Sequence, residues 1–158
     1  MHEAVAPKIA GLKNALVSVL MAARNVESYI RESIESVLKQ NYPYFELLIM
    51  EDGSSDKTWQ IIQEYRHSPR VRVFRRKHRG IATTRNELVR LSAGEFIAMH
   101  DSDNIMLQGK LKTQTRYLMK NKDVGVVFGN CLVLDDPFFL RGHTLSKTYS
   151  QIMRHVSA

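Results

Sequence analysis

The stretch that decides the fold is "LVSVLMAARNVESYIRESIESVLKQNYPYFELLIMEDGSSDKT", residues 16–58. It opens with an apolar, partly β-branched run without clean alternation, which is typical of a strand buried on both faces of a parallel sheet. Apolar residues then recur at helical spacing in residues 25–40, where Asn25 is a candidate N-cap. Pro43 breaks this helix, and "FELLIMED" is a second buried strand. The stretch therefore predicts one strand–helix–strand unit of a parallel α/β sheet.

The same alternation continues along the chain. The strand "RVRVFRRK" alternates with period two and has a basic face, so we expect it at a sheet edge. In the next helix Ile81, Leu88 and Leu91 should face inward, and Gly94 is the expected C′ residue. The predicted fold class is α/β, a three-layer α/β/α arrangement around a mainly parallel sheet with right-handed crossovers. Beyond residue 52, helices are predicted at residues 53–68, 80–94 and 107–121, and strands at 70–77, 95–101 and 124–136.

Length and composition limit the possible classes of protein. A chain of 158 residues argues for one folded domain, which we place at residues 15–136, between an N-terminal arm at 1–14 and an irregular, partly helical segment at 137–158. The single cysteine, Cys131, excludes an internal disulfide and a cysteine-based zinc site. No apolar run approaches the roughly 18 residues that span a membrane, and the N-terminus does not resemble a signal peptide. We therefore expect a cytoplasmic protein, at most peripheral to the inner face of the membrane.

The formal net charge of +7 suggests an anionic partner. Much of this charge lies in "RVRVFRRKHRG", residues 70–80. Three interpretations of the cluster stay open: a solvated edge of the sheet, a surface for anionic lipid headgroups, and a nucleic-acid-binding module. Phe74 is the only aromatic residue within the cluster, which argues against nucleic acid.

Several common chemistries lack their motif in this sequence. There is no GxGxxG after the first strand and no GxxxxGK[ST], which excludes the usual dinucleotide cradle and the P-loop. The serine of "MHDSD" is not in a nucleophile elbow. The six histidines are scattered and do not pair at metal-ligand spacing.

Polar residues follow three of the predicted strands. Because ligands of parallel α/β sheets bind beyond the carboxyl ends of the strands, these residues should converge on one site. Residues i and i+2 of an extended segment point to the same side, so Asp101 and Asp103 can face one space while Ser102 faces away. Two neighbouring carboxylates favour a divalent cation such as Mg²⁺ or Mn²⁺. The alternative is an ordinary turn, in which Asp, Ser and Asn are common residues. The polar strand ends are Arg24-Asn25, Glu51-Asp52 and Asp101-Ser102-Asp103.

Asp52 is the second candidate for a ligand contact. A carboxylate at a strand end can accept hydrogen bonds from a ribose hydroxyl or from a base N–H. The alternative is that it caps the following helix, but Ser55 or Asp56 is better placed for that.

The residues quoted above resemble the opening of a family 2 glycosyltransferase with the GT-A fold. That family typically has a "VSVIIPTYN" strand, an "S(I/V)L-Q-Y-FE" helix exit and a "DDGSxD" strand end. The block "GIATTRNELVRLSAGEFIAMHDSDN", residues 80–104, is similar to its "AxNxG…A-GEYI" stretch and the DxD that follows. The resemblance covers residues 16–134 and implies transfer of a sugar from a nucleotide-diphospho-sugar to an acceptor hydroxyl.

The resemblance implies a role for each matching residue. The expected partners are a nucleotide-diphospho-sugar, with UDP as the preferred nucleotide, and a glycan or lipid-linked acceptor of cell-surface polysaccharide synthesis. The expected cofactor is Mn²⁺ or Mg²⁺. By this resemblance Asp52 binds the base, Ala22 and Arg24 lie beside it, Arg85 lies near the diphosphate, Asp101 and Ser102 lie near the ribose or diphosphate, and Asp103, with Asp101, binds the metal.

The sequence also departs from the family pattern. "MAARN" replaces "PTYN", which puts an arginine where an aromatic residue is common, and Glu51 replaces the first aspartate of "DDGS". The family's catalytic base normally lies beyond residue 158, and Asp135 and Asp136 are the only carboxylates after Asp123. We therefore expect the chain to hold the donor-binding half of the enzyme, with a non-catalytic nucleotide-binding fragment as the alternative. A nucleotidyltransferase is disfavoured because its usual Gly-rich basic loop is missing after the first strand.

Overall fold

The computed structural model describes residues 15–129. Those up to Gly125 belong to one compact unit, and the description below concerns that unit; residues 126–129 belong to a second. The elements in chain order are β1 (Val17–Ala23), α1 (Ile30–Leu38), β2 (Phe45–Asp52), α2 (Thr58–Gln63), β3 (Val71–Arg76), α3 (Ile81–Leu91), β4 (Phe96–Met99) and α4 (Lys110–Lys120).

The four described strands form one sheet in the order β3-β2-β1-β4. All three pairings are parallel, which confirms the predicted sheet, and β3 lies at an edge as predicted. The chain moves outward from β1 to β3 and then returns to the other side of β1. This reversal places a topological switch point between β1 and β4, where parallel α/β sheets open a ligand-binding crevice.

Helices cover both faces of the sheet, which confirms the three predicted layers. On one face, alternate side chains of β1 and β2 pack against α1, α2 and α4, and Ile30, Ile34 and Val37 of α1 are completely buried. On the other face, Leu20, Leu48 and Met50 pack against Leu88 of α3. Strands buried on both faces explain the continuous apolar runs in the sequence, since nearly all residues of β1 and β2 are buried.

The prediction that Asn25 is the N-cap of α1 is wrong. The helix begins at Ile30 with Tyr29 at the N-cap position. Asn25 adopts a left-handed conformation with φ 51°, and its side-chain oxygen accepts a hydrogen bond from the backbone N–H of Ser55 (2.9 Å). Asparagine tolerates this conformation better than most residues, so it serves the loop instead of the helix.

Gly94 is not the C′ residue of α3, because that helix ends at Leu91 with Ser92 as its C-cap. A Cβ at Gly94 would lie 2.5 Å from the backbone nitrogen of Ser18. The glycine therefore lets the chain before β4 lie directly against β1. The backbone N–H of Gly94 also donates a hydrogen bond to Ser18 Oγ (2.8 Å), which fixes where β4 enters the sheet.

The fifth strand is not seen where its prediction can be checked. Residues 124–129 contain no strand, and the rest of that strand lies outside the described residues, as do the arm at 1–14, Cys131 and the C-terminal segment at 137–158. Within residues 15–129, none of the helices has the length and apolar character needed to cross a membrane.

Candidate functional site

A cavity of about 280 Å³ opens at the carboxyl end of the sheet. Its volume lies just below the range of roughly 300–1,000 Å³ that is usual for sites of drug-sized ligands, so it suits one part of a larger ligand. The structure brings three of the predicted site residues together here. The lining residues are Ala22, Ala23 and Arg24 after or at the end of β1, Asp52 at the end of β2, His78 after β3, and Ile81 and Thr84 of α3.

Asp52 is the hub of this cavity. The residue is only 4% exposed, and its carboxylate accepts four hydrogen bonds, which matches the roughly four lone-pair sites of a carboxylate. Oδ1 accepts from Arg76 Nε (3.0 Å) and from the backbone N–H of Arg79 (2.9 Å). Oδ2 accepts from His78 Nδ1 (2.9 Å) and from the backbone N–H of Gly80 (2.9 Å). The residue therefore organises the entrance of α3 and does not cap α2.

These contacts keep Asp52 ionised. Burial alone would raise the pKa of this carboxyl, but hydrogen bonds from the Arg79 N–H, the Arg76 side chain, the Gly80 N–H and His78 outweigh burial and hold the pKa below its ordinary value. The positive end of the α3 dipole lies beside it and acts in the same direction. A ligand in the cavity therefore meets an anionic acceptor, which favours a group that presents an N–H or O–H.

Arg76 fixes the position of the Asp52 carboxylate by an ion pair. Its side chain is 13% exposed, forms an ion pair with Glu87 and donates to Thr84 Oγ1 (2.7 Å). It thus links β2, β3 and α3 at one point.

Three arginines of the basic cluster at residues 70–80 form ion pairs within the fold. The pairs are Arg72–Glu46 at 3.1 Å, Arg75–Glu51 at 3.0 Å and Arg76–Asp52 at 3.0 Å.

The loops after β1 and β2 are tied to each other by hydrogen bonds. The backbone N–H of Asn25 donates to Ser54 Oγ (3.0 Å), and that of Val26 donates to Thr58 Oγ1 (2.8 Å). The backbone N–H of Glu27 donates to the Asp56 carboxylate, and the Glu27 carboxylate accepts from the backbone N–H of Lys57. These bonds position the rim of the cavity on which Arg24 lies, and Arg24 itself is exposed without an ion pair to a described residue.

The aspartate pair lies in a turn, not in an extended segment. The backbone N–H of Asn104 donates to the Asp101 carbonyl (3.2 Å), which closes a turn over residues 101–104. Asp101 and Asp103 are nevertheless exposed, whereas Ser102 is 7% exposed. The turn thus exposes both carboxylates and buries Ser102, but the extended conformation on which the alternation argument rested is absent.

Side chains of α1 hold this turn. Ser33 Oγ donates to the Asp101 carbonyl (3.2 Å) and lies 3.3 Å from His100 Nε2. Burial, followed by the charge of Lys110, lowers the pKa of His100 to about 4, so its ring is neutral near pH 7. Ser36 Oγ accepts from the backbone N–H of Met106 (2.8 Å). The aspartates therefore extend from a turn that is fixed on both sides.

One face of α3 connects the cavity with the aspartate turn. Ile81 and Thr84 line the cavity, and Arg85 donates to Asp101 Oδ1 at 2.5 Å. Residues three and four apart share a helix face, so the cavity and the Arg85–Asp101 pair are neighbours. Ile81 is 54% exposed, and the prediction that it faces the core is wrong because it lies at the cavity instead.

The aspartate turn presents two exposed carboxylates but no full protein cage for a metal ion in the described part of the chain. No group of three or more His, Cys, Asp or Glu side chains within the described residues could hold a metal ion. Mg²⁺ commonly takes only one or two carboxylates and completes its shell with water and phosphate oxygens. Of the two exposed carboxylates, Asp101 is bonded to Arg85, whereas Asp103 makes no hydrogen bond or ion pair to another described residue.

Comparison with known proteins identifies the family. The model for Glycosyl transferase family 2 matches residues 18–156. The chain belongs to glycosyltransferase family 2. This membership confirms the resemblance drawn from the strand-end motifs and supports a glycosyltransferase.

Relatives and solved structures agree with this assignment. The chain is 37% identical to the Escherichia coli UDP-Glc:alpha-D-GlcNAc-diphosphoundecaprenol beta-1,3-glucosyltransferase WfgD over 122 residues. The aligned region covers 77% of this chain and 47% of WfgD. It is 34% identical to the putative glycosyltransferase EpsE of Bacillus subtilis over 129 residues, or 80% of this chain and 46% of EpsE. The chain therefore spans about half the length of these relatives.

Solved glycosyltransferases share the fold. S. aureus TarS in complex with UDP-GlcNAc superposes with a TM-score of 0.64 at 30% identity, over 68% of this chain and 32% of that one. The mannosyltransferase PcManGT from Pyrobaculum calidifontis, solved with GDP-Man and Mn²⁺, superposes with a TM-score of 0.63 at 21% identity, over 73% and 35%. The fold is thus the GT-A fold that the resemblance implied.

Four cavity residues were not among the predicted site residues: Ala23, His78, Ile81 and Thr84. Ala23 and Thr84 directly precede two residues that were, Arg24 and Arg85, so their neighbourhood carried a signal. In the sequence His78 is one of six scattered histidines. Its contact with Asp52 joins residues 26 apart, and nothing in the local pattern indicates it.

Proposed function

We propose that this chain binds the nucleoside diphosphate part of a nucleotide-diphospho-sugar and forms the donor half of a glycosyltransferase. The observation that carries the proposal is the succession of contacts along α3. An ionised, buried Asp52 lies at the start of the helix, and the Arg85–Asp101 pair lies just beyond its first turn. A ligand that combines a hydrogen-bonding ring with a charged diphosphate has the chemistry to match both ends.

The nucleoside belongs at the cavity end. Ala22 lines the cavity with a small apolar surface, against which a flat base can pack. Asp52 accepts an N–H from the base or an O–H from the ribose, and the exposed guanidinium of Arg24 closes the rim. Uracil presents an N–H between two carbonyl groups, which suits an ionised acceptor, and the UDP-GlcNAc complex of TarS supports the same choice.

The diphosphate belongs at the aspartate end. Arg85 leaves Asp101 to donate to phosphate oxygens, which bind guanidinium groups strongly. Asp103, together with Asp101, would hold Mn²⁺ or Mg²⁺, and the buried Ser102 lies between the two exposed carboxylates. The cation, when bound, neutralises the negative charge that develops on the departing diphosphate.

The reaction we propose is direct displacement at the anomeric carbon with inversion. An acceptor hydroxyl attacks the sugar, the bond to the diphosphate breaks, and a carboxylate base takes the hydroxyl proton. Asp135 and Asp136 are the only carboxylates after Asp123, and both lie outside the described residues. The acceptor we propose is a lipid-linked or surface glycan of polysaccharide synthesis, since WfgD by its name acts on a diphosphoundecaprenol-linked sugar.

A lipid-linked acceptor requires access to a membrane surface. We propose that the chain meets the inner face of the membrane through cations that the fold leaves without acidic partners. Arg70, Lys77 and Arg79 are exposed and form no ion pair with a described residue, whereas Arg72, Arg75 and Arg76 do. The surface charge is therefore smaller than the sequence cluster suggests, and binding should be weak and salt-dependent.

The membrane proposal is tested by co-sedimentation with liposomes. We expect the fraction bound to vesicles containing phosphatidylglycerol to exceed that bound to pure phosphatidylcholine, and to fall as salt is raised. A variant with Lys77→Ala and Arg79→Ala should bind less, whereas Lys57→Ala, another exposed cation, should leave binding unchanged. Equal binding to both vesicle types would remove the membrane contact from the proposal.

The donor site is tested by calorimetry with UDP, CDP and GDP, each with and without Mn²⁺. We expect UDP to bind with Mn²⁺ present and to lose at least about tenfold in affinity when the metal is omitted, because phosphate oxygens complete the metal shell. CDP should bind at least about tenfold more weakly, since its ring nitrogen faces Asp52 with a lone pair. If no nucleoside diphosphate binds under any of these conditions, the proposed site is wrong.

A further inference from the structure

The acceptor oxygens of Asp52 are fully used before any ligand arrives. Four donors occupy its two oxygens at 2.9–3.0 Å. A carboxylate offers about four lone-pair sites, so an incoming N–H finds none open. If a nucleobase is to bond to Asp52, one of the four donors must leave.

Three of the four donors are held by the fold. Arg76 is nearly buried and also bonded to Thr84 and Glu87. The N–H groups of Arg79 and Gly80 belong to the backbone at the entrance of α3, where the Gly80 carbonyl already accepts from the N–H of Thr84. Releasing any of these donors would disturb β3 or the first turn of α3.

The fourth donor, the His78 ring, is different. Its side chain is 47% exposed, lines the cavity and makes no other hydrogen bond to a described residue. Because the carboxylate can only accept, the proton of this bond lies on Nδ1 of His78. The ring can swing toward solvent by rotation about its side-chain bonds without moving the backbone.

We propose that His78 competes with the nucleobase for Asp52, and that binding replaces the His78 Nδ1–H with an N–H of the base on Asp52 Oδ2. This inference rests on the proposed nucleotide site and adds the residue that controls its affinity and base preference. The imidazole presents its Nδ1–H from a flat ring, as the imide of uracil presents its N–H, so the exchange conserves the number of hydrogen bonds to Asp52. No bond other than these hydrogen bonds is made or broken.

The proposed exchange predicts the direction in which His78→Ala changes UDP affinity. Removing the ring frees one lone pair, so UDP no longer has to displace a hydrogen bond, and its affinity in Mn²⁺ should rise roughly two- to tenfold. CDP should gain less than UDP, because its ring nitrogen carries no N–H and only its exocyclic amino group can donate to the freed oxygen. A His78→Gln variant, which retains a side-chain donor, should behave like the unmodified chain, and so should His67→Ala, which changes an exposed histidine away from the cavity.

Calorimetry of these variants separates the inference from the function on which it rests. If the unmodified chain binds UDP and His78→Ala binds it equally or more weakly, the competition is refuted and the nucleotide site stands. Binding by His78→Ala alone would support the competition strongly. If neither binds any nucleoside diphosphate, the proposed function falls and the inference with it.

A second measurement tests the exchange without a substitution. In ¹⁵N–¹H spectra of the imidazole groups we expect the His78 Nδ1 proton to show its hydrogen bond in the free protein. Saturating UDP should abolish that signature and leave His67 unaffected. An unchanged His78 signal in the UDP complex would overturn the proposal.

Discussion

Asp52→Asn should lower UDP affinity by roughly 10- to 100-fold, the largest loss we expect at the nucleoside end, because a hydrogen bond to a charged group is removed. The amide is nearly isosteric, but it directs two N–H groups toward a site built from donors. At least one of the four present bonds is then replaced by a donor–donor contact. Calorimetry in the presence of Mn²⁺ measures the loss, and unaltered UDP affinity would mean that Asp52 only supports the loop.

The same substitution should also destabilise the fold, by about 3 kcal/mol, since it breaks a buried ion pair with Arg76. Urea unfolding measures this, with Glu32→Gln on the exposed side of α1 as the matched control. The stabilisation by ionised Asp52 is complete above the pKa of about 3.9 expected for the unfolded chain. It is lost as the pH falls through the lower pKa of the folded state, so the difference between the two proteins should be constant above about pH 5 and shrink below about pH 4.

Asp103→Asn should remove most of the effect of Mn²⁺ on UDP binding, with a loss of roughly 10- to 100-fold in metal-dependent affinity. Asp103 is the proposed metal ligand that forms no hydrogen bond or ion pair with another described residue. Its carboxylate charge is therefore available to a cation. An amide oxygen keeps the shape of the side chain but not the charge that attracts a hard divalent ion. Titration of Mn²⁺ at fixed UDP is the direct measurement.

Stability provides the contrast for this second variant. Because Asp103 is exposed and has no bonded partner among the described residues, its substitution should change the free energy of unfolding by less than about 0.5 kcal/mol. Asp123→Asn, an exposed aspartate beyond α4, should leave both stability and Mn²⁺ dependence unaltered. A metal response that survives Asp103→Asn would place the cation elsewhere.

The order of strands and helices could be predicted because it depends on patterns within short windows. Both faces of β1 and β2 are buried, and only continuous apolar runs satisfy that condition. The convergence of Arg24 and Asp52 on one cavity could be predicted from parallel strands, since such strands place their carboxyl ends at one edge of the sheet, whereas Ala22 was implied only by the family resemblance.

Contacts between distant residues could not be predicted in the same way. Asn25 has the side chain of an N-cap, but the same hydrogen-bonding capacity serves a loop equally well, and only the position of Ser55 decides between them. His78 reaches Asp52 because β3 pairs with β2 in a particular register, which no sequence window contains. The turn at Asp101 likewise depends on Ser33, 68 residues earlier.

The hydrogen bonds between the loops after β1 and β2 have a thermodynamic consequence for binding. Asn25, Val26 and Glu27 are fixed to residues 54–58 by contacts that form when the sheet forms. The conformational entropy of this rim is therefore lost during folding, not when a ligand arrives. A nucleoside that enters the cavity orders little besides itself and releases the His78 ring, so even a small cavity can retain it with useful affinity.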